Sequence, residues 1–579
     1  MSSSNGTSDS HDVIDEKPEA QVISSENDLA TSNKEKPDVV GSVSDDKNLA
    51  GSEIATVEED ESKYLSGQKR ALLAISLALV VFIVGLDGTI VSTAAPTISN
   101  HFNSLKDVGW YGSAFCSFQL FWGKIYNVLT AKASFLSAIC IFEIGSLLAG
   151  VAPTSSCFIV GRAISGIGVS GIVSGAILII ADTVPLHQRP IYMAIVGGME
   201  AISSVVGPLI GGALTTHASW RWCFYISLPV GGLAILLVMA FYRPQKANPS
   251  FQDFRKKAQD IDWLGIGIFI PAIICLILAL QWGGTQYSWA NVRIIVLLIL
   301  FGLLLIIFIY IQIRRQELAT LPPHIVRQRS MAFGLIFAFC GASVLSIIDF
   351  YLPIWFQAIK GVSAFQSAVM TLPIIISLVV GGVISAPAIS FFGYYKPFMI
   401  LGCILTSFGT GFLTTFKPWT GHSKWIAYQV LAGLGSGMSF QQPLLAAQVV
   451  LGEEDLSIGT AAVILAQNLG SAVSISIAQS IFTNKLVKEL EEIPSVNPKV
   501  VQDAGATNLR EAVSAQSLPS VILAYDKALT DSYYLATAFA TLMIVGAVGI
   551  EWRSVKEKKD ADTSKNTVPE NSAMNATLT

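Results

Sequence analysis

The chain has 579 residues, of which 52% are apolar and 13% charged, about half the charged share of a soluble domain. A single soluble core does not grow to this size at this hydrophobicity, so a soluble enzyme, a disulfide-rich secreted protein and a nucleic-acid binder are excluded. The apolar residues come in long blocks, which indicates an all-α polytopic membrane protein. The formal net charge of −4 hides a split between a tail and the remainder.

Residues 1–62 hold 16 acidic and 4 basic side chains. Such a segment buries too little apolar surface to offset its ordering entropy, and it reads as a disordered, acidic, cytoplasmic tail. It has no signal-peptide core. The rest of the chain carries a net charge of +8. A helix needs ~20 mostly apolar residues to cross a bilayer, and fourteen stretches qualify. They lie near 71–95, 109–128, 133–152, 157–181, 191–214, 221–241, 262–282, 291–312, 332–357, 364–391, 397–416, 424–450, 459–483 and 532–552. An even number puts both termini on one side. Twenty-five of the 37 Lys and Arg then fall on the side of the N-terminus, so both termini are expected in the cytoplasm. The loop 452–457, with Glu453, Glu454 and Asp455 and no base, runs against that pattern, but acids weigh little in it.

The expected organisation is the tail 1–62, a six-helix half 63–241, and a segment 242–312 made of an amphipathic linker (242–261) and two inserted spans. A second six-helix half follows at 313–552, with one long external loop at 484–531, and a cytoplasmic tail at 553–579. The sequons at Asn5 and Asn575 fall in the tails and are expected to stay unmodified.

Ionisable groups inside spans are costly and mark functional candidates. Asp87, Glu143, Glu200, Asp349 and Arg162 qualify. At ~1.5 Å per residue, Asp87 stands ~25 Å from the inner surface and Arg162 ~8 Å from the outer one, so the two can share a layer; Glu143 and Glu200 fall near the midplane. A carboxyl whose contact with an arginine is made and broken changes its proton affinity, which is the requirement for proton coupling. The competing reading is an ion pair that only staples helices. Small residues recur along span four (161–171), span five (207–212) and span twelve (433–437), where helices can approach closely. Pro208 removes a backbone hydrogen bond and bends its helix.

Other chemistries find no support. Cys116, Cys140, Cys157, Cys223, Cys275, Cys340 and Cys403 all lie in or beside spans, so no disulfide framework is implied. No histidine lies in a span, which argues against haem or a metal site. No G-x-x-x-x-G-K-[ST] loop is present, which argues against ATP-driven pumping. No metal or cofactor is expected.

The chain also echoes itself. Spans four and twelve share a glycine ladder, spans one and nine each carry a deep Asp, and G-K-I-Y-N-V-L-T-A-K (123–132) after span two is echoed by F-G-Y-Y-K (392–396) after span ten. With spans seven and eight set aside, two six-helix halves repeat in parallel.

These residues resemble the fourteen-span drug:proton antiporters of the major facilitator superfamily, especially fungal toxin and multidrug efflux pumps, over about 65–555. L-D-G-T-I-V-S-T-A-A-P (86–96) is similar to the first-span signature and G-R-A-I-S-G-I-G (161–168) to the fourth-span motif, whose arginine, here Arg162, the resemblance links to proton transfer. G-P-L-I-G-G, with Gly207, Pro208, Gly211 and Gly212, is similar to the antiporter motif associated with exporters. W-R-W-C-F-Y-I-S-L-P-V-G (220–231) carries Ser227 where Asn is usual; F-Q-A-I-K-G-V-S-A (356–364) and G-Y-Y-K-P-F-M-I-L-G (393–402) match the second half. In the inner gate loop, with Gly123, Lys124, Asn127 and Lys132, Asn127 replaces the family's acid, so a weakened charge relay is expected. Glu200 is an acid where an apolar residue is usual, a candidate extra proton or cation site.

The resemblance implies a major facilitator fold, two six-helix halves plus two extra central spans, and proton-coupled export of hydrophobic or amphipathic small molecules by alternating access. Substrate is expected between the halves, near Trp110, Tyr111, Phe115, Phe118, Gln119, Trp355, Phe356, Gln357, Phe440, Gln441 and Gln442; aromatic walls with a few amides suit bulky amphipathic molecules better than sugars. The expected partners are that substrate, protons and the lipid bilayer, with no nucleic acid, and the chain is expected to be a monomer in the plasma membrane, the vacuolar membrane being the alternative. A siderophore or other solute carrier of the same shape is the rival transporter reading, and a non-transporting membrane sensor or scaffold the rival of another class.

Overall fold

The structure, a computed structural model, describes residues 67–102, 118–244, 255–257, 259–284, 286–494, 496–504 and 509–556. The N-terminal tail, most of the linker expected to be amphipathic, Trp110, Tyr111 and Phe115 of the second span, and the end of the C-terminal tail lie outside the described residues.

Short polar caps divide the apolar sequence into helices. Helix α1 covers Gly67–Phe102 and α2 Gln119–Val128. Thr130 accepts from the Ala133 amide to start α3 (Ala131–Val151), and Thr154 does the same from Cys157 for α4 (Ser155–Thr183). Helix α5 (Arg189–His217) opens on Pro190 and contains Pro208. After the turn Trp222–Tyr225 comes α6 (Ser227–Phe241). Asp262 caps α7 (Trp263–Trp282) and Asn291 caps α8 (Val292–Arg315).

The second half starts at α9 (Arg329–Trp355), which runs into a π-helical turn, Phe356–Lys360, closed by Gly361 with φ 67°. A Ser363–Gln366 capping box starts Ala364–Met370, followed by α10 (Leu372–Phe392). Helix α11 is Lys396–Leu413; α12 is His422–Ser439 and continues, after a break at Phe440 and Gln441, as Gln442–Val450. Helices α13 (Leu456–Glu491) and α14 (Leu518–Gly549) complete the bundle.

Twelve of the described helices are long and apolar enough to cross a membrane. The two other expected spans are α2, whose first part is outside the described residues, and the broken α12. The expected loop at 484–531 is much shorter than the sequence indicated. Helix α13 runs on to Glu491 and α14 begins at Leu518. Lys485 and Lys527 both pair with Glu489, at 3.2 and 2.7 Å, and Lys485 also reaches Asp531. Lys485–Glu489 lies within α13, while the bridges from α14 add to a buried apolar cluster in which Leu486 and Leu490 of α13 join Val521, Tyr525 and Leu529 of α14.

The two halves repeat one framework. In the first, α1 packs on α5 and α6, and α3 on α4; in the second, α9 packs on α13 and α14, and α11 on α12. Backbones meet at matching glycines. A Cβ at Gly145 would lie 2.2 Å from the Ser165 amide, and one at Gly168 would lie 2.4 Å from that of Phe142; in the second half Gly409 and Gly435 stand as close to Ala432 and Thr406. Thr89 donates to Gly85 O and to Ser203 O across the helix pair, while Ser343 donates to Phe339 O and Gly470 O. The halves meet along α5–α10 and α2–α13. Both described termini lie at one end, here the terminal end. There Lys132 Nζ donates to Met239 O and Tyr242 O at the close of α6, and Lys396 Nζ to Val548 O and Ile550 O at the close of α14.

Candidate functional site

The first half holds a buried ionic centre. Helix α4 carries Arg162 and α1 carries Asp87, and the structure brings them into contact: Arg162 Nη1 is 2.7 Å from both Asp87 oxygens. Arg162 is wholly buried and Asp87 only 4% exposed. The Phe224 ring lies 5.7 Å from the guanidinium carbon. Two charges removed from water persist only in close geometry, and separating them exposes each to a large desolvation cost. A proton on Asp87 would cancel the attraction that holds Arg162.

Glu143 of α3 stands in the same half, within electrostatic reach of Asp87. Its Oε2 accepts from Ser227 Oγ at 3.2 Å. Its Oε1 is buried without a hydrogen-bond partner among the described residues. Gly231 makes room for it, since a Cβ there would fall 1.7 Å from Oε1. Ser227, the residue that departs from the family's asparagine, is thus the donor to this carboxyl.

Glu200 and Asp349 are placed differently. Both side chains are exposed, Glu200 on α5 and Asp349 on α9. They belong to opposite halves, and Asp349 lies within electrostatic reach of Glu200. The sequence echo paired Asp349 with Asp87, but the packing register does not. Thr89 and Ser343 make the same bonds, so the residue matching Asp87 is Gly341. Asp349 stands two turns, ~12 Å, further along its helix.

The glycine–proline run of α5 packs on the ionic helix. A Cβ at Gly207 would fall 1.9 Å from Thr89 Oγ1, Gly211 is buried, Gly212 faces open space, and Pro208 sits between them inside the helix. The residues expected around substrate are not all brought to one wall. Gln119 is buried and donates to Ser174 Oγ, and Gln442 is buried and donates to Met438 O. Phe440 and Gln441 lie half-buried at the break in α12, Gln441 against Gly197 of α5. Gln357 is half-buried in the π-helical turn, whereas Trp355 and Phe356 are fully buried and pack on Phe416 and Trp425.

The terminal end is closed. Between α5, α10 and α12 there remains a cavity of about 20 Å³ beside Met193, Gly437 and Gln441, room for a water and not for a drug-sized molecule. Arg189 bonds Gln448 across the halves at 3.4 Å. Asn127 gives its amide to Glu454 O at 2.8 Å and accepts from Ser457 Oγ. Neutral hydrogen bonds therefore stand where the family's acid would act. A Cβ at Gly123 would lie 2.9 Å from that of Ala461. Lys124 is 8% exposed, and Lys132 is the cap of α6.

Sequence reading missed three polar centres. Trp355 Nε1 donates to the buried Asp526 at 2.8 Å, His324 joins Glu317 to Asp455, and fully buried Asp262 gathers Gly265, Gln312 and Thr320. Asp526 lay in a stretch read as loop, and the caps at Lys132 and Lys396 were signalled only by the echo of a lysine after each second span.

The family model described as Major Facilitator Superfamily matches residues 77–475. The chain is 46% identical over 516 residues to the MFS-type efflux pump MFS1 of Trichophyton rubrum, covering 88% of this chain and 96% of that protein. It is 46% identical over 493 residues to the efflux pump roqT of Penicillium rubens, covering 84% and 92%. It is 44% identical over 507 residues to the efflux pump aflT of Aspergillus parasiticus, covering 86% and 99%. Among solved structures, the proton:xylose symporter XylE aligns with a TM-score of 0.54 at 13% identity, covering 85% of this chain and 98% of that one. The human organic anion transporter MFSD10 aligns with 0.52 at 13%, covering 84% and 100%. At such identity the likeness is one of fold.

Proposed function

The chain belongs to the major facilitator superfamily as an efflux transporter, and from that premise we propose that inward proton flow drives its export of hydrophobic or amphipathic small molecules. The observation that carries the coupling is the buried Asp87–Arg162 pair. With Asp87 ionised the pair is closed and α1 is held to α4. A proton arriving on Asp87 frees Arg162, loosens the two helices and lets the halves rock; its release on the other side restores the pair. Glu143 of the same half is a second proton-binding group, and Glu200 with Asp349 offers a third place where proton or cationic substrate can stand. The Gly207–Pro208 packing on Thr89 lets α5 bend against α1 as this happens.

The terminal end is assigned to the cytoplasm from the excess of Lys and Arg there, which makes the closed end the inner gate. The plasma membrane is the assigned site, with a single chain as the transporting unit. The relatives' names, efflux pumps of fungi, support export as the direction of transport, and secondary metabolites and toxins are the substrate class we propose.

The test is efflux in reconstituted vesicles against a panel of amphipathic compounds, with and without a proton gradient. The wild-type chain exports only with the gradient. Asp87→Asn loses gradient-driven export while keeping substrate exchange at zero gradient. Wild-type coupling in Asp87→Asn, or uptake in place of export, overturns the reading.

A further inference from the structure

The two inserted helices, α7 and α8, stand beside the inner gate; they pack through apolar residues on both α2 and α13, and on the side of the second half hydrogen bonds are added. Toward the second half they are hydrogen-bonded. Ser476 Oγ of α13 donates to Leu280 O at 3.0 Å, and Trp289 Nε1, in the turn between α7 and α8, donates to Ser480 Oγ at 3.0 Å. At the terminal end Asp262 accepts from both the amide and the hydroxyl of Thr320, at 3.3 and 3.1 Å, and Gln312 Oε1 accepts from the Leu321 amide at 2.8 Å. Those two residues lead directly into the second half. Toward α2 of the first half, by contrast, the insert lays an apolar face: Ile261 and Ile266 pack on Val128, with Ile125 alongside.

Lys124 sits at the seam. It belongs to α2 and is nearly buried; one turn further on, Val128 packs on Ile261, next to Asp262, and Asn127 bonds Glu454, next to Asp455, which places Lys124 near the charges of Asp262, Asp455 and, through His324, Glu317. Asp262 caps the insert; Asp455 precedes α13 and is paired through His324 with Glu317. All three acids are thus tied to the body on the other side of the gate. An apolar interface slides without breaking directional bonds, whereas a nearly buried charge close to several opposite charges has one favoured position.

We infer that the inserted pair is a fixed extension of the C-terminal half that slides over α2, and that Lys124 is the positioning residue that latches the inner gate across this seam. The latch supplies the attraction that Asn127 no longer provides. The inference rests on the alternating-access reading above, and its readouts do not depend on proton coupling.

Two cysteine pairs test the sliding, each made in the full chain and compared before and after oxidation. Trp289→Cys with Ser480→Cys fastens the insert to α13, and cross-linking is expected to leave substrate exchange unchanged. Ile125→Cys with Ile266→Cys fastens the insert to α2, and cross-linking is expected to stop exchange until a reductant is added. Loss of exchange in the first, or full exchange in the cross-linked second, overturns the inference. The latch is read by a membrane-impermeant maleimide on Ser457→Cys in inside-out vesicles. Lys124→Met is expected to raise the labelling rate severalfold and Lys124→Arg to restore it. An unchanged rate in Lys124→Met, or failure of Lys124→Arg to restore it, removes Lys124 from the gate. Labelling and zero-gradient exchange remain measurable if gradient-driven export fails, so the two readings fall separately.

Discussion

The two six-helix halves share a framework and differ in charge. Asp87, Glu143, Arg162 and Glu200 of the first half each meet a neutral residue at the matching place in the second. The packing of Gly168 on Phe142 and of Gly435 on Thr406 sets the register. It puts Ser407 opposite Glu143 and Gln429 opposite Arg162, as Thr89 and Ser343 put Gly341 opposite Asp87. Ser203 and Gly470, which accept those two hydroxyls, put Gln467 opposite Glu200. Gln429 is as buried as Arg162, yet its amide only reaches Met370 O at 3.1 Å. Glycine contacts and lysine caps are therefore what the fold requires of a half, and the ionic centre is an addition to one of them. On the proposed coupling, the internal state of the first half depends on a proton and the second half is the body against which it moves.

The comparison breaks most sharply at Arg162. Arg162→Gln writes into the first half the residue that the second carries. It leaves Asp87 buried without its partner, a cost of about 3–5 kcal/mol, so the single variant is expected to lose stability together with export. The double variant Arg162→Gln with Asp87→Asn removes both charges; it is expected to fold, to exchange substrate at zero gradient, and to be blind to the gradient. Gradient-driven export by the double variant would mean that the two halves are equivalent in mechanism and that the charge difference is only structural.

A smaller effect is expected at Glu143. Glu143→Gln keeps the shape below Gly231 and removes the charge that Ser227 serves. Gradient-driven export should fall roughly tenfold, the worth of one hydrogen bond to a charged group at about 1.5 kcal/mol, with zero-gradient exchange unchanged. Equal loss in both assays would make Glu143 a packing residue, as Ser407 is in the other half.

Much of the fold was legible in the sequence, because apolar blocks of ~20 residues admit few alternatives in a bilayer. The reading failed where length and hydropathy are not the deciding quantities. Helix α13 continues past its expected end because Leu486 and Leu490 are buried in one apolar cluster with Val521 and Tyr525 of α14, and Lys527 and Asp531 of α14 bridge to it; such contacts between segments cannot be read from either alone. The site was legible in kind and less so in register. Rarity alone singled out Asp87 and Arg162, and helix depth put them in one layer. Depth is too coarse to distinguish Asp349 from a true counterpart of Asp87, since an error of two turns changes a residue's partners completely. The neutral gate at Asn127 and the node at Asp262 depend on contacts between segments more than a hundred residues apart or joined through a linker. No local pattern signals those.

The smallest expected effect tests the shared framework itself. Lys132 and Lys396 each donate to two carbonyls at the end of the last helix of their half. The final carbonyls of a helix have no partner within it and carry its negative pole, so an ammonium there both satisfies and neutralises them. Lys132→Met and Lys396→Met should each lower the unfolding free energy by about 1 kcal/mol, read as a small drop in melting temperature in detergent. Because the two bonds are alike, the two drops should be alike, and gradient dependence should be untouched in both. A variant at Lys132 that also weakened coupling, with none at Lys396, would show that the proton-bearing half recruits even its end cap into the transport cycle. The division between a common scaffold and an added ionic centre would then lie nearer the membrane surface than the buried charges place it.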